Sequence, residues 1–206
     1  MTIQAGINAS GAVKFSITIE PGQEEMWFAL RDLPNAKKGF TADDLAHVAG
    51  VKPSLAEIYL NLLANAGAAL RVGTTDGRKD LFAIVRHQVE PVVLTVKGTP
   101  SQDYEMRRAM WTVIRTADTF TIKSLWDTVR QHIDLTRKQV TFFVQHLHEA
   151  GYLAPLFGDC RGEEEFMLKP GMNTGRYPPR LCETSLVYDI NRRAFYGTAL
   201  AREVRL

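Results

Sequence analysis

The sequence predicts an α+β protein in which one arrangement of helices and strands occurs twice. The dipeptides Met-Trp, Phe-Thr and Ala-Gly recur in the same order, beginning at Met26, Phe40 and Ala66 and again at Met110, Phe120 and Ala150. In both halves, helical patterns precede two short β-type runs. We therefore predict domains at residues 1–97 and 98–170, followed by a C-terminal extension at residues 171–206. Chance similarity of two helical segments is the alternative.

Composition and charge set limits on function. Hydrophobic residues make up 45% and charged residues 23% of the chain, as in ordinary globular proteins. The net charge is only +2, so any basic surface for nucleic acid must be local. Cys160 and Cys182 have no metal-type spacing and form no disulfide framework, which favours a reducing, cytoplasmic setting. The N-terminus lacks a signal-peptide pattern, and no apolar run approaches the roughly 18 residues of a membrane helix.

The first domain begins with a predicted strand and two predicted helices. Residues Val13–Ile19 alternate between apolar and polar, which predicts a strand, and Gln23–Leu33 has helical spacing. Thr41 and Asp44 form a capping-box pattern for a second helix, which Gly50 ends. The predicted core-facing residues of these helices are Met26, Trp27, Leu30, Leu45, Ala46 and Val48.

A longer helix and a hairpin complete the first domain. Pro53 suits the first helical turn, and Gly67 ends the helix. Its apolar stripe consists of Ala56, Tyr59, Leu60, Leu63 and Ala66. The runs Ala68–Val72 and Asp80–Val85 then predict a hairpin. A further run, Val92–Val96, predicts a strand that could pair with Val13–Ile19, before a linker at residues 98–101.

The second domain repeats this order. Asp103–Thr116 predicts a helix, and Thr121 can cap another that continues to about His132. Thr136 and Gln139 form a capping box for the next helix, which ends at Gly151. That helix is expected to bury Val140, Phe143, Val144 and Leu147. A second hairpin is predicted from Tyr152–Phe157 and Glu165–Leu168, with its turn around Gly158 and Gly162.

A short helix, a turn and a longer helix leading into a hairpin resemble the winged helix-turn-helix family. The tail of the longer helix, LLANAGAALRV, carries the strongest local resemblance. The resemblance implies that the helix before each hairpin is a recognition helix and that each hairpin is a wing. Such domains mostly bind nucleic acid, while a minority are protein-interaction modules and few are enzymes. Tandem copies resemble transcriptional regulators, replication initiators of plasmids and phages, and chromosome-segregation adaptors.

Catalytic signatures are absent from the sequence. It contains no GxxxxGK, GxGxxG, GxSxG or HExxH motif. His146 and His148 are two residues apart on a predicted helix, so they point in different directions and cannot share one metal ion unaided. We therefore expect no enzymatic activity, no metal and no cofactor.

The recognition helices present the candidate binding residues. Opposite its core stripe, the second helix carries Arg137, Lys138, Thr141 and Gln145, which could meet phosphates and base edges in a major groove. The first domain offers fewer such residues: Lys52 and Ser54 at its recognition helix, with Arg78 and Lys79 in its wing. Ordinary solvated side chains are the alternative interpretation. The leading hypothesis is non-catalytic binding of double-stranded DNA.

A scaffolding or adaptor role is the competing hypothesis. Ile58 and Phe142 occupy corresponding outward positions on the two recognition helices, where a partner protein or a second copy of the chain could cover them. The acidic run Glu163–Glu165 in the second wing would repel phosphate.

The extension, residues 171–206, opens with the Gly- and Pro-rich GMNTGRYPPR. Leu186–Ile190 predicts a short strand, and Arg192–Arg205 a weak helix. Its six arginines could bind phosphate or only keep the segment hydrated.

Overall fold

The computed structural model describes residues 2–7, 13–18, 21–34, 36, 38–85, 88–156, 164–182, 187–192 and 194–196. The fold is mixed α+β with small antiparallel sheets. The chain divides into two compact units, Met1–Ser101 and Gln102–Leu206. None of the described helices is both long and apolar enough to cross a lipid bilayer.

The first unit consists of a hairpin, three helices and a second hairpin. Its first hairpin pairs β1 (Thr2–Ile7) with β2 (Val13–Thr18). The helices α1, α2 and α3 span Gln23–Asp32, Ala42–Ala49 and Pro53–Asn65. The second hairpin pairs β3 (Ala69–Thr74) with β4 (Asp80–Ile84). Phe40, just before α2, forms an isolated bridge to Phe82 of β4.

The second unit begins with a helix, a short strand, two helices and two strands. Its elements are α4 (Gln102–Thr116), β5 (Phe120–Thr121), α5 (Ile122–Val129), α6 (Arg137–Glu149), β6 (Leu153–Leu156) and β7 (Glu165–Leu168). The strands form one antiparallel sheet in the order β5-β7-β6. A single 3-10 turn, Pro170–Met172, follows. The chain then forms a second sheet from β8 (Arg180–Leu181), β9 (Val187–Asp189) and β10 (Ala194–Tyr196), in the order β10-β9-β8.

Capping chemistry fixes the helix ends, as predicted. At α2 the Thr41 backbone N–H donates to the Asp44 carboxylate at 2.8 Å, while the Thr41 hydroxyl oxygen accepts from the Asp44 N–H. Thr136 and Gln139 exchange the corresponding bonds at α6. Gly67 and Gly151 follow α3 and α6 with φ of 67° and 81°, a left-handed conformation that glycine adopts without a Cβ clash.

Each unit has its own apolar core, and the predicted stripes lie in these cores. Ala56, Tyr59, Leu60 and Leu63 of α3 are buried, as are Val140, Phe143, Val144 and Leu147 of α6. Trp27 in the first unit and Trp111 in the second are completely buried. Val48 is a correction: it is 49% exposed, whereas the buried residues of α2 are Leu45 and Ala46. The helix capped by Thr121 ends at Val129, short of the predicted His132.

The run Val92–Val96 does not form the predicted strand. Strand β2 pairs with β1 instead, and Leu94 makes only an isolated bridge to Pro100. The Gln23 side chain provides the bonds that a strand neighbour would have provided, accepting from the Leu94 N–H at 2.7 Å and donating to the Leu94 carbonyl at 2.9 Å. Residues 98–101, predicted as a linker, fold back on this run through the bond from the Ser101 N–H to the Val93 carbonyl.

The predicted extension contributes to the core of the second unit. Val187 of β9 is fully buried there, and Met172, Leu181 and Tyr196 pack against the same cluster. The strand predicted at Leu186–Ile190 is observed at Val187–Asp189. Leu186 lies outside the described residues, and Ile190 is in the turn that follows the strand. The predicted helix Arg192–Arg205 is wrong at its start, because Ala194–Tyr196 is a strand, and residues 197–206 lie outside the described part of the chain.

Candidate nucleic-acid interface

The outward face of α6 combines positive charge with exposed polar side chains. Arg137 and Lys138 occupy the first turn, at the helix end where the helix dipole places partial positive charge. Both side chains are exposed, as is that of Gln145 two turns later. Thr141 is half-buried, and its hydroxyl donates to the Arg137 carbonyl at 3.0 Å. This face therefore attracts anions at one end and offers amide hydrogen bonds further along.

Phe142 lies on the same face and is 54% exposed. Its ring centroid is 4.1 Å from that of His146, and Nδ1 of His146 lies 2.8 Å from the Phe142 carbonyl oxygen. The ring is therefore supported by one helical neighbour and is not part of the core. Its position suits contact with an apolar group of a bound molecule.

A groove lies beside this face, within the second unit. It has a volume of about 480 Å³ and is lined by residues of α4, α6 and β8. Lys138 and Phe142 of α6 form part of its wall, so two of the predicted binding residues also border an open concavity.

In the first unit, acidic residues pair with two cations of the second hairpin, including the predicted binding residue Lys79. Lys79 forms an ion pair with Asp43 of α2, and the hydrogen bond to that carboxylate raises the pKa of Lys79. The guanidinium of Arg71 lies 3.4 Å from the Asp80 carboxylate and donates to the Asn61 side chain at 2.6 Å. Arg78 is exposed at the hairpin turn with φ of 63°. Sequence patterns did not reveal the Asp43–Lys79 pair, because the two residues lie far apart in the chain.

The predicted binding positions on α3 are exposed but weakly charged. Lys52 and Ser54 are exposed at the start of α3, and Glu57 in the next turn is exposed as well. Ile58, at the position that Phe142 holds in α6, is 58% exposed. The structure therefore places Lys52 and Ser54 beside an acid and an apolar side chain, a setting that favours DNA less than that of α6.

Apolar exposure differs between the units. Within the described residues, Phe142 is the one large hydrophobic side chain of the second unit that is exposed. The first unit exposes seven: Val48, Ile58, Leu70, Val72, Val85, Val89 and Val96. Leu70 and Val72 belong to β3, whose residues beyond Ala69 are all exposed. The sequence predicted the exposure of Ile58 and a strand at Ala68–Val72, but not that this strand is exposed, because a short apolar run gives no indication of which face is covered.

Described arginines of the C-terminal segment pack against tyrosine rings. The guanidinium carbons of Arg176, Arg180 and Arg192 lie 4.9, 5.7 and 5.9 Å from the ring centroids of Tyr177, Tyr188 and Tyr196. Arg192 also donates to the Gly171 carbonyl at 2.7 Å. These contacts give the arginines a part in holding the segment together.

Among the described residues, no three His, Cys, Asp or Glu side chains lie close enough to hold a metal ion. His146 stacks on Phe142, whereas the ring of His148 lies 5.7 Å from that of Phe166, so the two histidines face different neighbours. Cys182 is half-buried, and burial raises the pKa of its thiol. Cys160 and Glu163 lie outside the described residues.

No protein-family model matches the chain, and no curated protein is significantly similar to it.

Proposed function

We propose that each unit is a winged helix-turn-helix domain and that the protein is a non-catalytic, cytoplasmic double-stranded DNA-binding protein. The order of three helices and a hairpin in both units supports the domain assignment. The observation that carries the DNA proposal is the exposed set Arg137, Lys138 and Gln145 on α6, at and beyond an electropositive helix end. Cations there meet phosphates, and the amide further along reaches a base edge.

The second unit is the better candidate for DNA. Its recognition helix begins with two exposed cations, whereas α3 begins with Pro53 and Ser54 and carries Glu57 one turn later. In the hairpin of the first unit, Lys79 and Arg71 are paired with Asp43 and Asp80. To bind phosphate, each of these two cations would have to give up its carboxylate partner. The first unit therefore adds little electrostatic attraction.

Salt dependence of duplex binding tests this proposal. The variant Arg137→Ala/Lys138→Ala should bind a random duplex more weakly, and its slope of log K against log salt should be shallower by roughly one to two units. The matched control is Lys52→Ala/Arg78→Ala in the first unit, which should change the slope less. Equal slopes for wild type and the α6 variant would contradict the assignment of α6.

The second candidate function is a scaffolding or adaptor role, favoured by the apolar side chains of the first unit. Ile58, Leu70 and Val72 are each more than half exposed, and exposed apolar surface is a feature of protein-interaction sites. If protein contact is the main role, Ile58→Ser/Leu70→Ser should weaken self-association in sedimentation experiments while duplex affinity stays unchanged. An unchanged sedimentation profile would count against self-assembly through this surface.

A further inference from the structure

A groove of the first unit combines an apolar lining with two cations. Its volume of about 450 Å³ falls within the range of small-molecule sites. Leu30 of α1 and Ile84 of β4 are its buried apolar residues, and we call them its floor. Leu33, Pro34 and Ala36, from the segment after α1, complete the apolar lining. The groove therefore offers apolar contact to a molecule of modest size.

The charge of this groove is positive. Among the described residues, Arg31 and Lys38 are the charged side chains that line it, and both are exposed. Within the described part of the chain, no carboxylate lies within ion-pair distance of either side chain. One of the five N–H groups of Arg31 donates to the Val89 carbonyl at 3.3 Å, a neutral acceptor that does not offset the guanidinium charge. The groove therefore attracts an anion.

Trp27 adds an unused hydrogen-bond donor. It lines the groove, and its indole N–H is buried with no acceptor among the described residues. A buried donor without a partner costs free energy, which a ligand that brings an acceptor recovers. In the second unit the corresponding Trp111 donates to the Gly175 carbonyl at 2.9 Å, so there the chain itself provides the acceptor.

We propose that this groove binds a small carboxylate with an apolar body. The carboxylate pairs with Lys38 and Arg31 and accepts from the Trp27 indole N–H, and the apolar body covers Leu30 and Ile84. The indole nitrogen is shielded from water, so a lining side chain has to move aside before the carboxylate reaches it. A neutral apolar molecule leaves the cations without a counter-charge, and an inorganic anion leaves the floor uncovered. Binding does not depend on the DNA proposal.

The corresponding place in the second unit carries the opposite charge. Counting back from the Phe-Thr pairs at Phe40 and Phe120, Lys38 corresponds to the exposed Asp118. The indole N–H of Trp111 already has its acceptor. The proposed carboxylate site is therefore specific to the first unit.

NMR of the indole N–H groups of the full chain tests the proposal, with hexanoate as the probe and the neutral hexanamide as its isostere. The chain has three tryptophans. Trp111 and Trp126 already donate to backbone carbonyls and serve as internal controls. We expect the Trp27 signal to move downfield saturably with hexanoate, because its N–H gains an acceptor, while the two controls do not move. Hexanamide should bind roughly ten-fold more weakly, as the loss of a charge-assisted contact predicts.

Variants of Lys38 test the charge of the groove. Lys38→Gln should weaken hexanoate binding roughly ten-fold and leave the weaker binding of hexanamide unchanged. Lys38→Asp, which introduces the charge that Asp118 has in the second unit, should weaken hexanoate binding further. The control Lys97→Gln removes an exposed lysine of the first unit that does not line the groove and should change neither affinity. A Trp27 signal unmoved by hexanoate up to about 10 mM, or equal affinity for acid and amide, would overturn the proposal.

Discussion

In the first unit the indole N–H of Trp27 is buried without an acceptor among the described residues, whereas in the second unit the indole N–H of Trp111 donates to the Gly175 carbonyl at 2.9 Å. A second difference lies just after α3 and α6. Ala68 follows Gly67, while Tyr152 follows Gly151 and donates from its hydroxyl to the buried Asp189 at 3.1 Å. The two units thus have equivalent apolar cores but differ in the polar bonds made to those cores.

The segments after the two hairpins run past the same helix positions. Arg31 of α1 donates to the Val89 carbonyl, and Arg115 of α4, at the corresponding position, donates to the Asn173 side chain. Gln23 bonds the Leu94 backbone, and Arg107 likewise donates to the Pro179 carbonyl. The C-terminal segment therefore begins as a counterpart of residues 88–94. Beyond that point the second unit has two further strands, β9 and β10.

The largest expected effect concerns the apolar cores of the two units. Leu63→Ala and Leu147→Ala each remove a fully buried side chain at corresponding positions of α3 and α6. Each should lower the free energy of unfolding of its unit by about 2–5 kcal/mol, because a cavity is left in a close-packed core. Urea unfolding followed by circular dichroism measures this, with the exposed Val96→Ala as the control. A loss below about 1 kcal/mol at either position would mean that the cores are not equivalent.

The bond between Tyr152 and Asp189 should be the next largest contribution, and only the second unit has it. The Asp189 carboxylate also accepts from the Asn191 and Arg192 backbone N–H groups at 2.9 and 3.1 Å. Asp189→Ala leaves the Tyr152 hydroxyl and two part-buried N–H groups without their acceptor, and the loss of the buried hydroxyl's partner should cost about 1–3 kcal/mol. Unfolding of Tyr152→Phe, which removes only the hydroxyl, provides the comparison. A larger loss for Tyr152→Phe than for Asp189→Ala would refute this account.

The same tyrosine should make the stability of the second unit fall at alkaline pH. Burial, followed by the nearby Asp189 charge, raises the pKa of Tyr152 well above its ordinary value near 10. The stability that depends on the neutral phenol is complete below about pH 10 and falls above it, because the unfolded chain releases its proton first. Tyr152→Phe should flatten the decline in stability between about pH 10 and pH 11. A decline as steep in the variant as in wild type would rule out Tyr152 as its source.

A smaller effect should distinguish the two tryptophans. Trp27→Phe and Trp111→Phe remove the same volume from corresponding buried positions, so their cavity costs should be similar. Only Trp111→Phe also breaks a hydrogen bond and leaves the Gly175 carbonyl without it. Its loss of unfolding free energy should exceed that of Trp27→Phe by about 1 kcal/mol. Equal losses would show that the Gly175 bond contributes no net stability.

The smallest expected effect is that of Phe142→Ala on stability. The ring is half-exposed and rests on His146, so the free energy of unfolding should change by less than about 0.5 kcal/mol. Thermal unfolding with Phe143→Ala, its buried neighbour, as the contrasting variant measures the difference. Marked destabilisation by Phe142→Ala would place the ring in a covered site and remove it from the binding face.

Local sequence signals predicted the helices well because their ends depend on short-range chemistry. The capping boxes at Thr41 and Thr136 and the left-handed glycines at Gly67 and Gly151 act within one turn. Strand β1 was not predicted, although Ile3, Ala5 and Ile7 alternate with polar residues and glycine. The run Val92–Val96 was predicted to pair with the strand that in the structure pairs with β1. Contacts between residues that are distant in sequence decide which strands pair.

The candidate site was predictable only in part, for the same reason. Helical periodicity placed Arg137, Lys138, Gln145 and Phe142 on the exposed face of α6. It could not show that Lys79 is held by Asp43, nor that β8 supplies Arg180 and Leu181 to a groove beside Lys138. Both features need residues from separate elements, and no spacing rule connects those elements.

Amide NMR of the full chain with a short random duplex tests the proposed DNA binding by the second unit most directly, because it reports on α3 and α6 in one experiment. We expect the largest shifts at the amides of Arg137–Gln145 in α6 and small ones at the corresponding amides of α3. Raising the salt concentration should reverse them, as expected for phosphate contacts. Dominant shifts in α3 and the hairpin β3–β4, or no shifts in either helix at low salt, would contradict the assignment of DNA binding to the second unit.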